Sequence, residues 1–315
     1  MRRLRDTCAK GIDDVRLSIA VVTDGVDWHA RTLIRAFARL GARARPVALP
    51  SCAIATTNPT GLEIAGFARL PDAVVVRSLS GGTFEAVTLR LGILHALREL
   101  GVLVWNDARA IERCVDKSMT SFLLARAGIP TPPTWATESF EAARRIAQRE
   151  TVHGPLVLKP LFGSQGRGLR LIRSAQDLPP ASETAGVYYL QRYVAVEREG
   201  FRDFRLFVLQ GRVIAAMARH ATTWITNVKQ GGRPLAAVAD AEMQDLAIRA
   251  AAAVGASFAG VDILHGADGR PTVLEVNSMP AWSGLQKVTP VRIAATVARE
   301  MIATLSAAAR CGAAV

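Results

Sequence analysis

Lys159 closes an apolar run, Leu156-Val-Leu-Lys159, and is followed by Gly163-Ser164-Gln165-Gly166-Arg167-Gly168 before a second run from Leu169 to Ile172. Glycines let a loop turn backbone N–H groups toward a bound anion at low steric cost, and a nearby lysine adds a point charge suited to phosphate. Any glycine-containing hairpin has the same parts, so the loop alone leaves phosphate binding and simple turn formation both open. It is not a Walker loop, because GK[ST] and a following helix are missing, and no HRD or DFG sequence points to a protein kinase. A second group comes from Gly260-Val-Asp262-Ile-Leu264 and Thr272-Val-Leu-Glu275-Val-Asn277. Asp262 interrupts one apolar strand, while Glu275 and Asn277 alternate along the next and so project from one face. Carboxylates in apolar strands are costly unless they are paired or bind metal. Two carboxylates and an amide oxygen are hard ligands that suit Mg2+ held jointly with nucleotide phosphates. A salt-bridged structural cluster is the alternative reading.

The elements that must position these residues are of two kinds. Leu17 to Thr23, Ala73 to Val76 and Val102 to Trp105 are uninterrupted apolar strands, and Trp28 to Leu40 and Phe84 to Leu100 are helices closed by Gly41 and Gly101. That order predicts a small parallel α/β unit. No GxGxxG follows its first strand, so it does not read as a dinucleotide-binding domain. The second unit opens with a helix over Ala108 to Ala127, a stiff break from Gly128 to Thr134, and a helix over Thr137 to Glu150. Seven short strands then read as one antiparallel series: Leu156 to Pro160, Leu169 to Ile172, Val187 to Tyr193, Phe204 to Leu209, Val213 to Ala216, Gly260 to Leu264 and Thr272 to Val276. A helix over Ala239 to Ala253 interrupts the series, and an alanine-rich packing helix, Val291 to Ala309, ends it.

Composition bounds what these elements can do. The chain has 315 residues, 50% hydrophobic and 21% charged, which excludes a disordered or fibrous chain; at about 100–200 residues per domain it predicts two or three domains. Lys and Arg number 39 against 27 Asp and Glu, a net charge of +12. Such an excess raises the local concentration of anions or serves only solubility. The cations are spread along the chain, with the densest run, Arg2, Arg3 and Arg5, at a terminus, and aromatics make up only 6%, so nucleic-acid binding is the weaker reading. No stretch reaches the roughly 18 apolar residues of a membrane span, and Met1 to Cys8 leads into no signal-peptide core, which together predict a cytoplasmic protein with no membrane partner. Cys8, Cys52, Cys114 and Cys311 form no metal or disulfide pattern and read as reduced thiols, Cys114 as a buried structural one.

Together these motifs resemble the ATP-grasp superfamily and, within it, the RimK-like carboxylate–amine ligases, over nearly the whole chain. The resemblance implies an α/β chain with three parts: an N-terminal Rossmann-like pre-ATP-grasp domain over 1–106, a central α/β lid subdomain with the glycine-rich phosphate loop over 107–190, and a C-terminal antiparallel-sheet α+β subdomain with the metal site over 191–315. Asn106-Asp107, Asp116-Lys117 and Leu123 to Thr131 look like the family's linker and first nucleotide lysine, Lys117. Lys159 looks like the second, with Gly163, Ser164, Gln165, Gly166 and Gly168 as the phosphate lid. Gln191, Arg192, Tyr193 and Val194 match the hinge that receives adenine through backbone groups, with Arg192 where the family usually carries Glu. Asp203-Phe-Arg205 matches an Asp-x-Arg pair, Arg219 matches an arginine facing the transferred phosphate, and Thr226 and Asn227, followed by Gly231-Gly232, resemble the loop that touches ribose and phosphates. Asp262, Glu275 and Asn277 fall on the family's metal ligands.

The resemblance also implies the chemistry. ATP, with two Mg2+ or Mn2+ ions, would phosphorylate a carboxylate, and an amino group would attack the acylphosphate. Lys159, Arg205 and Arg219 would be the catalytic cations. The expected partners are ATP, L-glutamate and an anionic carboxylate acceptor, leaning toward a methanopterin or methanofuran type of one-carbon carrier, in a dimer or tetramer. A glutathione- or peptide-synthetase-like ligase, a ligase acting on a protein tail, and a non-catalytic nucleotide-binding protein are the alternatives. On the acceptor side, Arg77 matches an arginine that holds a carboxylate or else pairs with a nearby acid, and Trp282 either stacks on a planar substrate or closes the core.

Overall fold

The computed structural model describes residues 16–163, 165–195 and 200–312. Arg2, Arg3, Arg5, Cys8 and Ser164 lie outside the described residues, as does the side chain of Cys311. The first unit contains β1 (Ser18–Val22), α1 (Trp28–Arg39), β2 (Arg43–Val47), β3 (Ala53–Ile54), β4 (Leu62–Glu63), β5 (Ala73–Val76), α2 (Phe84–Glu99) and β6 (Leu103–Trp105). Its sheet runs β2-β1-β5-β6 with every pair parallel, while β3 and β4 pair only with each other. The apolar runs of β1 and β5 occupy the middle of this sheet, where both faces are covered, and Ile19, Val21, Val74 and Val75 are buried. Asp27 and Thr83 start the two helices by accepting from the N–H groups of Ala30 and Ala86.

The expected single helix over Ala108 to Ala127 is two helices, α3 (Ala108–Val115) and α4 (Lys117–Arg126). Asp116 takes an extended conformation and its carboxylate accepts from Ser118 and Met119 N–H. It thus ends one helix and caps the next, leaving apolar periodicity intact on both sides. The cap also fixes Lys117 as the first residue of α4. The second sheet contains β7 (Thr134–Thr137), β8 (Leu156–Lys159), β9 (Arg170–Ile172) and β10 (Tyr188–Arg192), with α5 (Phe140–Glu150) between β7 and β8. It is antiparallel, in the order β7-β10-β8-β9.

The third sheet is built by β11 (Phe201–Leu209), β12 (Arg212–Ala221), β13 (Arg233–Ala236), β14 (Phe258–His265) and β15 (Pro271–Asn277), in the order β13-β12-β11-β14-β15, with α6 (Ala241–Val254) packed on it. The strands expected as one antiparallel series therefore divide between two sheets, with the break after β10. A short helix, α7 (Ser283–Gln286), leads to α8 (Ile293–Gly312). The long helix returns to the first unit: Ile293, Val297 and Met301 share a core with Ile19, Leu33 and Phe37 and with Phe207, Phe258 and Trp282. Buried Asn106 ties the first unit to the third sheet. Its Oδ1 accepts from Ser257 and Phe258 N–H at 2.7 and 3.0 Å, and its Nδ2 donates to the carbonyls of Phe258 and Ser278 at 2.6 and 2.5 Å. Among the described residues, no helix is long and apolar enough to cross a membrane.

Candidate active site

The pleat of β10 separates two sets of side chains. Tyr188 and Leu190 face the core beneath α5, whereas Tyr189 and Gln191 face the opposite way, toward β8 and α4. Arg192 shares the α5 side, ion-pairs with the Glu150 carboxylate and lies 6.0 Å from the Trp135 ring. An arginine where the family usually has Glu is accommodated by this exchange: its charge is balanced from α5. The backbone N–H groups of Arg192 and Tyr193 donate to the carbonyls of Pro133 and Pro155.

Lys159 stands opposite Tyr189, and its Nζ donates to Gln191 Oε1 at 2.6 Å. The Gln191 amide in turn donates to Thr134 Oγ1 and to the Tyr189 hydroxyl, which is 2.8 Å from Ser121 Oγ on α4. Lys117, on that same helix, donates to the carbonyls of Leu161 and Gly163 at 3.1 and 2.8 Å and so anchors the start of the glycine-rich loop. Burial depresses the pKa of both lysines, partly offset by the negative charge of Glu275. Desolvated cations of this kind gain most from an incoming polyanion.

The glycine-rich loop closes against the loop that carries Thr226 and Asn227. Gly166 has φ +71°, and a Cβ there would stand 2.5 Å from Asn227 Oδ1 and 2.8 Å from Ile225 Cγ2. A Cβ on Gly232 would overlap the Thr226 carbonyl and lie 2.7 Å from its carbon. Only glycine permits both approaches.

In the third sheet, register places Arg205 opposite Asp262, Asp262 opposite Glu275, and Asp203 opposite Arg219. Arg205 binds Asp262 through two bonds of 2.6 Å, Nε to Oδ1 and Nη2 to Oδ2, and Arg219 Nη2 lies 3.0 Å from the same Oδ2. Arg219 also chelates Asp203, whose Oδ2 accepts from Thr226 Oγ1 at 2.7 Å. Burial alone would raise the Asp262 pKa, but the guanidiniums of Arg205 and Arg219 outweigh it and hold the carboxyl well below the usual range. The same carboxylates raise Arg219. Asn277 Nδ2 donates to Glu275 Oε1 at 3.0 Å, so these two side chains do share one face, while Leu274 is the extra residue at a register shift beside them.

This donor set fits Mg2+. Asp262 is ionised, the Glu275 side chain is 30% exposed toward the site, and Asn277 adds an amide oxygen, all hard ligands. Among the described residues no three His, Cys, Asp or Glu side chains gather into a metal cage, so such an ion would depend on phosphate oxygens to complete its shell. The salt-bridged cluster and the candidate ligand set overlap at Asp262 and Glu275, both of which lie within ion-pair distance of Arg205.

Two cavities meet at this cluster. A hinge cavity of about 130 Å³ is lined by Gln191 to Val194, Trp224 to Asn227, Asp203 and Asp262, with apolar walls from Val157, Leu264 and Leu274. Beside it, a cavity of about 660 Å³ extends to Arg77, Met279 and Lys229. Lys117, Lys159, Gly163, Gln165, Arg219, Asn227 and Glu275 line both. The first suits a purine, the second falls in the size range of small-molecule sites, and the shared wall is where phosphates would lie. Sequence reasoning missed Val157, Leu264 and Leu274, because apolar strand residues that line a cavity look like core residues. Trp224, two residues before Thr226 in the same loop, also lines this cavity, and its ring meets that of Tyr193 edge-on at 6.1 Å.

On the acceptor side, Arg77 Nη1 donates to the Met279 carbonyl at 3.0 Å, and its guanidinium lies 5.4 Å from the Trp282 ring centre. Trp282 is 1% exposed and packs against His29 and Phe258, so of its two expected roles the structure shows core closure. Cys114 lines the larger cavity, but burial pushes its thiol up to about 12, leaving it protonated and non-nucleophilic at neutral pH.

Comparison with known proteins bears on the family and the fold. The RimK-like ATP-grasp domain family matches residues 114–302. The tetrahydromethanopterin:alpha-L-glutamate ligase of Methanosarcina acetivorans is 34% identical over 312 residues, covering 86% of this chain and 93% of its own. The protein of the same name from Methanococcus maripaludis is 37% identical over 207 residues, covering 64% of this chain and 70% of its own. Among solved structures, the ATP-grasp ligase PsnB complexed with minimal precursor has a TM-score of 0.71 at 25% identity, covering 92% of this chain and 99% of that one. With a family match over more than half its length and a relative of that similarity, the chain belongs to the RimK-like ATP-grasp ligases, enzymes that use ATP to join a carboxylate to an amine.

Proposed function

We propose that this ligase adds L-glutamate to the carboxylate of a pterin-type one-carbon carrier of the tetrahydromethanopterin class, or to a glutamyl chain already on it. The observation that carries this reading is the shared wall of the two cavities, where Lys117, Lys159, Arg219 and Glu275 separate a purine-sized pocket from a larger one. The names of the relatives supply the acceptor class. ATP in the hinge cavity would transfer its γ-phosphoryl group to the acceptor carboxylate, releasing ADP and leaving an acylphosphate. The amino group of glutamate would then form the amide as phosphate departs.

Lys159, Arg205 and Arg219 are the residues assigned to stabilise charge on the moving phosphoryl group. Because they are already fixed by Gln191, Asp262 and Asp203, little reorganisation opposes the step. Lys117 and the loop from Gly163 to Gly168 cover the phosphates, and Thr226 and Asn227 face them from the opposite loop. Asp262, Glu275 and Asn277 would hold Mg2+, as two ions, which would neutralise charge on the phosphates.

The test is product analysis. Purified protein is supplied with ATP, Mg2+ and L-glutamate, together with tetrahydromethanopterin, tetrahydrofolate or an acidic peptide in separate reactions. Mass spectrometry should find a glutamyl adduct on the methanopterin, matched by phosphate release. Adducts on the peptide alone would overturn the acceptor class, and ATP binding with no adduct on any acceptor would overturn the ligase assignment for this chain.

A further inference from the structure

Large apolar side chains that face solvent gather where the larger cavity opens. Val115 and Val228 line that cavity and are both exposed, which places them at its mouth. Three larger side chains stand beside other lining residues. Phe84, 84% exposed, opens α2 just after Gly81; Phe162, 66% exposed, directly precedes Gly163; and Met119 is exposed in the first turn of α4, two residues from Lys117. Gly81, Gly163 and Lys117 all line the cavity.

Polar contacts beneath them hold these positions together. Arg90 Nη1 donates to the carbonyls of Ser80 and Gly81 at 2.6 and 2.9 Å, fastening the turn before Phe84 to α2. Arg98 pairs with Asp107 and His95 with Glu112, so α2 and α3 run antiparallel, and Phe84 and Val115 lie toward the same end of that pair. The Asp116 cap starts α4 at this end, with Met119 in its first turn. Lys117 Nζ bonds the carbonyls of Leu161 and Gly163, on either side of Phe162, so the backbone that carries this ring is tied to α4. Val228 packs on α7, where a Cβ added to Gly284 would lie 3.4 Å from its Cγ2. Single exposed apolar residues are ordinary, but a group of them around one opening marks a binding surface. Its place outside the polar wall decides which part of a guest it meets. An acceptor carboxylate must reach Lys159 and the buried Arg219, so a ring attached to that carboxylate through the rest of the acceptor lies back toward the opening. Trp282 is in the core and faces neither cavity, which leaves Phe84 and Phe162 as the aromatic surface at this mouth.

We propose that Phe84 and Phe162, with Val115, Met119 and Val228 as an apolar rim, bind the planar ring of the acceptor and select for carboxylates that carry such a ring. The proposal rests on the ligase reading above and deepens it, because it names residues for the part of the acceptor that the phosphate wall does not touch. Aromatic side chains stack on any flat heterocycle, so the rim favours a ring-bearing acceptor over a plain glutamyl chain while leaving ATP and glutamate alone.

The experiment combines steady-state kinetics on Phe84→Ser, Phe162→Ser and Phe162→Trp with calorimetric binding of tetrahydrobiopterin, a reduced pterin that has no carboxylate, in the presence of AMP-PNP and Mg2+. Both phenylalanines are exposed, so the variants should fold, and an unfolding curve checks this. KM for tetrahydromethanopterin and Kd for tetrahydrobiopterin should each rise about tenfold in the two serine variants, with kcat and the KM values for ATP and glutamate unchanged. Phe162→Trp should keep wild-type values. Unchanged KM and Kd in both serine variants overturn the proposal and leave the ligase reading intact. So does an altered sedimentation coefficient with unchanged KM, which would assign the patch to a second copy of the chain. A rise in ATP KM equal to that of the acceptor also overturns it, since the loop and not the ring contact would then be at fault. A wild-type protein that binds tetrahydrobiopterin through Phe162 yet forms no amide overturns the ligase reading and keeps the ring site. One that neither binds the pterin nor forms an amide overturns both.

Discussion

Replacing Gln191 with leucine removes the oxygen that holds the Lys159 ammonium at 2.6 Å and two amide bonds, to Thr134 Oγ1 at 3.2 Å and the Tyr189 hydroxyl at 3.3 Å. A hydrogen bond to a charged group is worth about 1.5–3 kcal/mol and a neutral one about 1 kcal/mol, and leucine regains some apolar burial, so the expected loss is about 2–4 kcal/mol. Most of it comes from an ammonium left buried with a weaker set of partners. Nucleotide phosphates would supply a new partner, so AMP-PNP with Mg2+ should stabilise the variant more than wild type by about 1–2 kcal/mol. Urea unfolding of both proteins, with and without the nucleotide, measures this difference. The sign of the pH effect follows from the same arrangement. The Lys159 pKa is lowered from 10.5 by burial, so above its folded value the unfolded chain binds more protons and stability rises with pH toward 10.5. That rise should be steeper in Gln191→Leu and shallower in Gln191→Leu/Lys159→Met, which keeps only the part from Lys117. Equal loss of stability with and without nucleotide would refute the idea that Gln191 stands in for a phosphate.

Gly232→Ala should lose most ligase activity with little change in global stability, because its Cβ overlaps the Thr226 carbonyl and must push the loop bearing Asn227 off Gly166; kcat and ATP KM, read beside an unfolding curve, check it. Trp282→Ala should cost about 3–5 kcal/mol in chemical denaturation while ATP KM stays within about twofold, since the ring fills the core and lines neither of the two site cavities. His29 is neutral in the fold, with a pKa lowered from 6.5 by burial, so the unfolded chain takes up the proton first. Wild type should lose stability as pH falls below 6.5, and that slope should be shallower in His29→Gln in thermal unfolding between pH 7.5 and 5.5.

The polar residues of the site were legible because they stand where apolar residues belong. Asp262 and Glu275 interrupt buried strands and Lys159 ends one, so the cost of burying charge marked them before any geometry was known. The role of Gln191 was not legible, because hinge motifs suggest backbone contact with adenine and only the β10 pleat shows its amide turned toward Lys159. Strands escaped notice where they lacked an apolar stretch: β2 reads Arg-Ala-Arg-Pro-Val, β7 follows two prolines with Trp135 as its one large apolar residue, and β13 contains Pro234. All three lie at sheet edges, where half the backbone is unpaired and proline is tolerated. The break between α3 and α4 was hidden because its cause, the Asp116 carboxylate, changes the backbone without disturbing the pattern of apolar residues. The net charge of +12 was legible only as a quantity. The placement of part of it around two cavities, with Arg77 and Lys229 lining only the larger one, required the fold.

The central claim is that the chain activates a carboxylate by phosphorylating it. An acceptor whose carboxylate is labelled with 18O, incubated with ATP, Mg2+, L-glutamate and the wild-type protein, tests this most directly. Acylphosphate chemistry transfers one labelled oxygen into the inorganic phosphate released with each amide formed, and Asp262→Asn should suppress both products together. Amide formation with unlabelled phosphate would contradict the account.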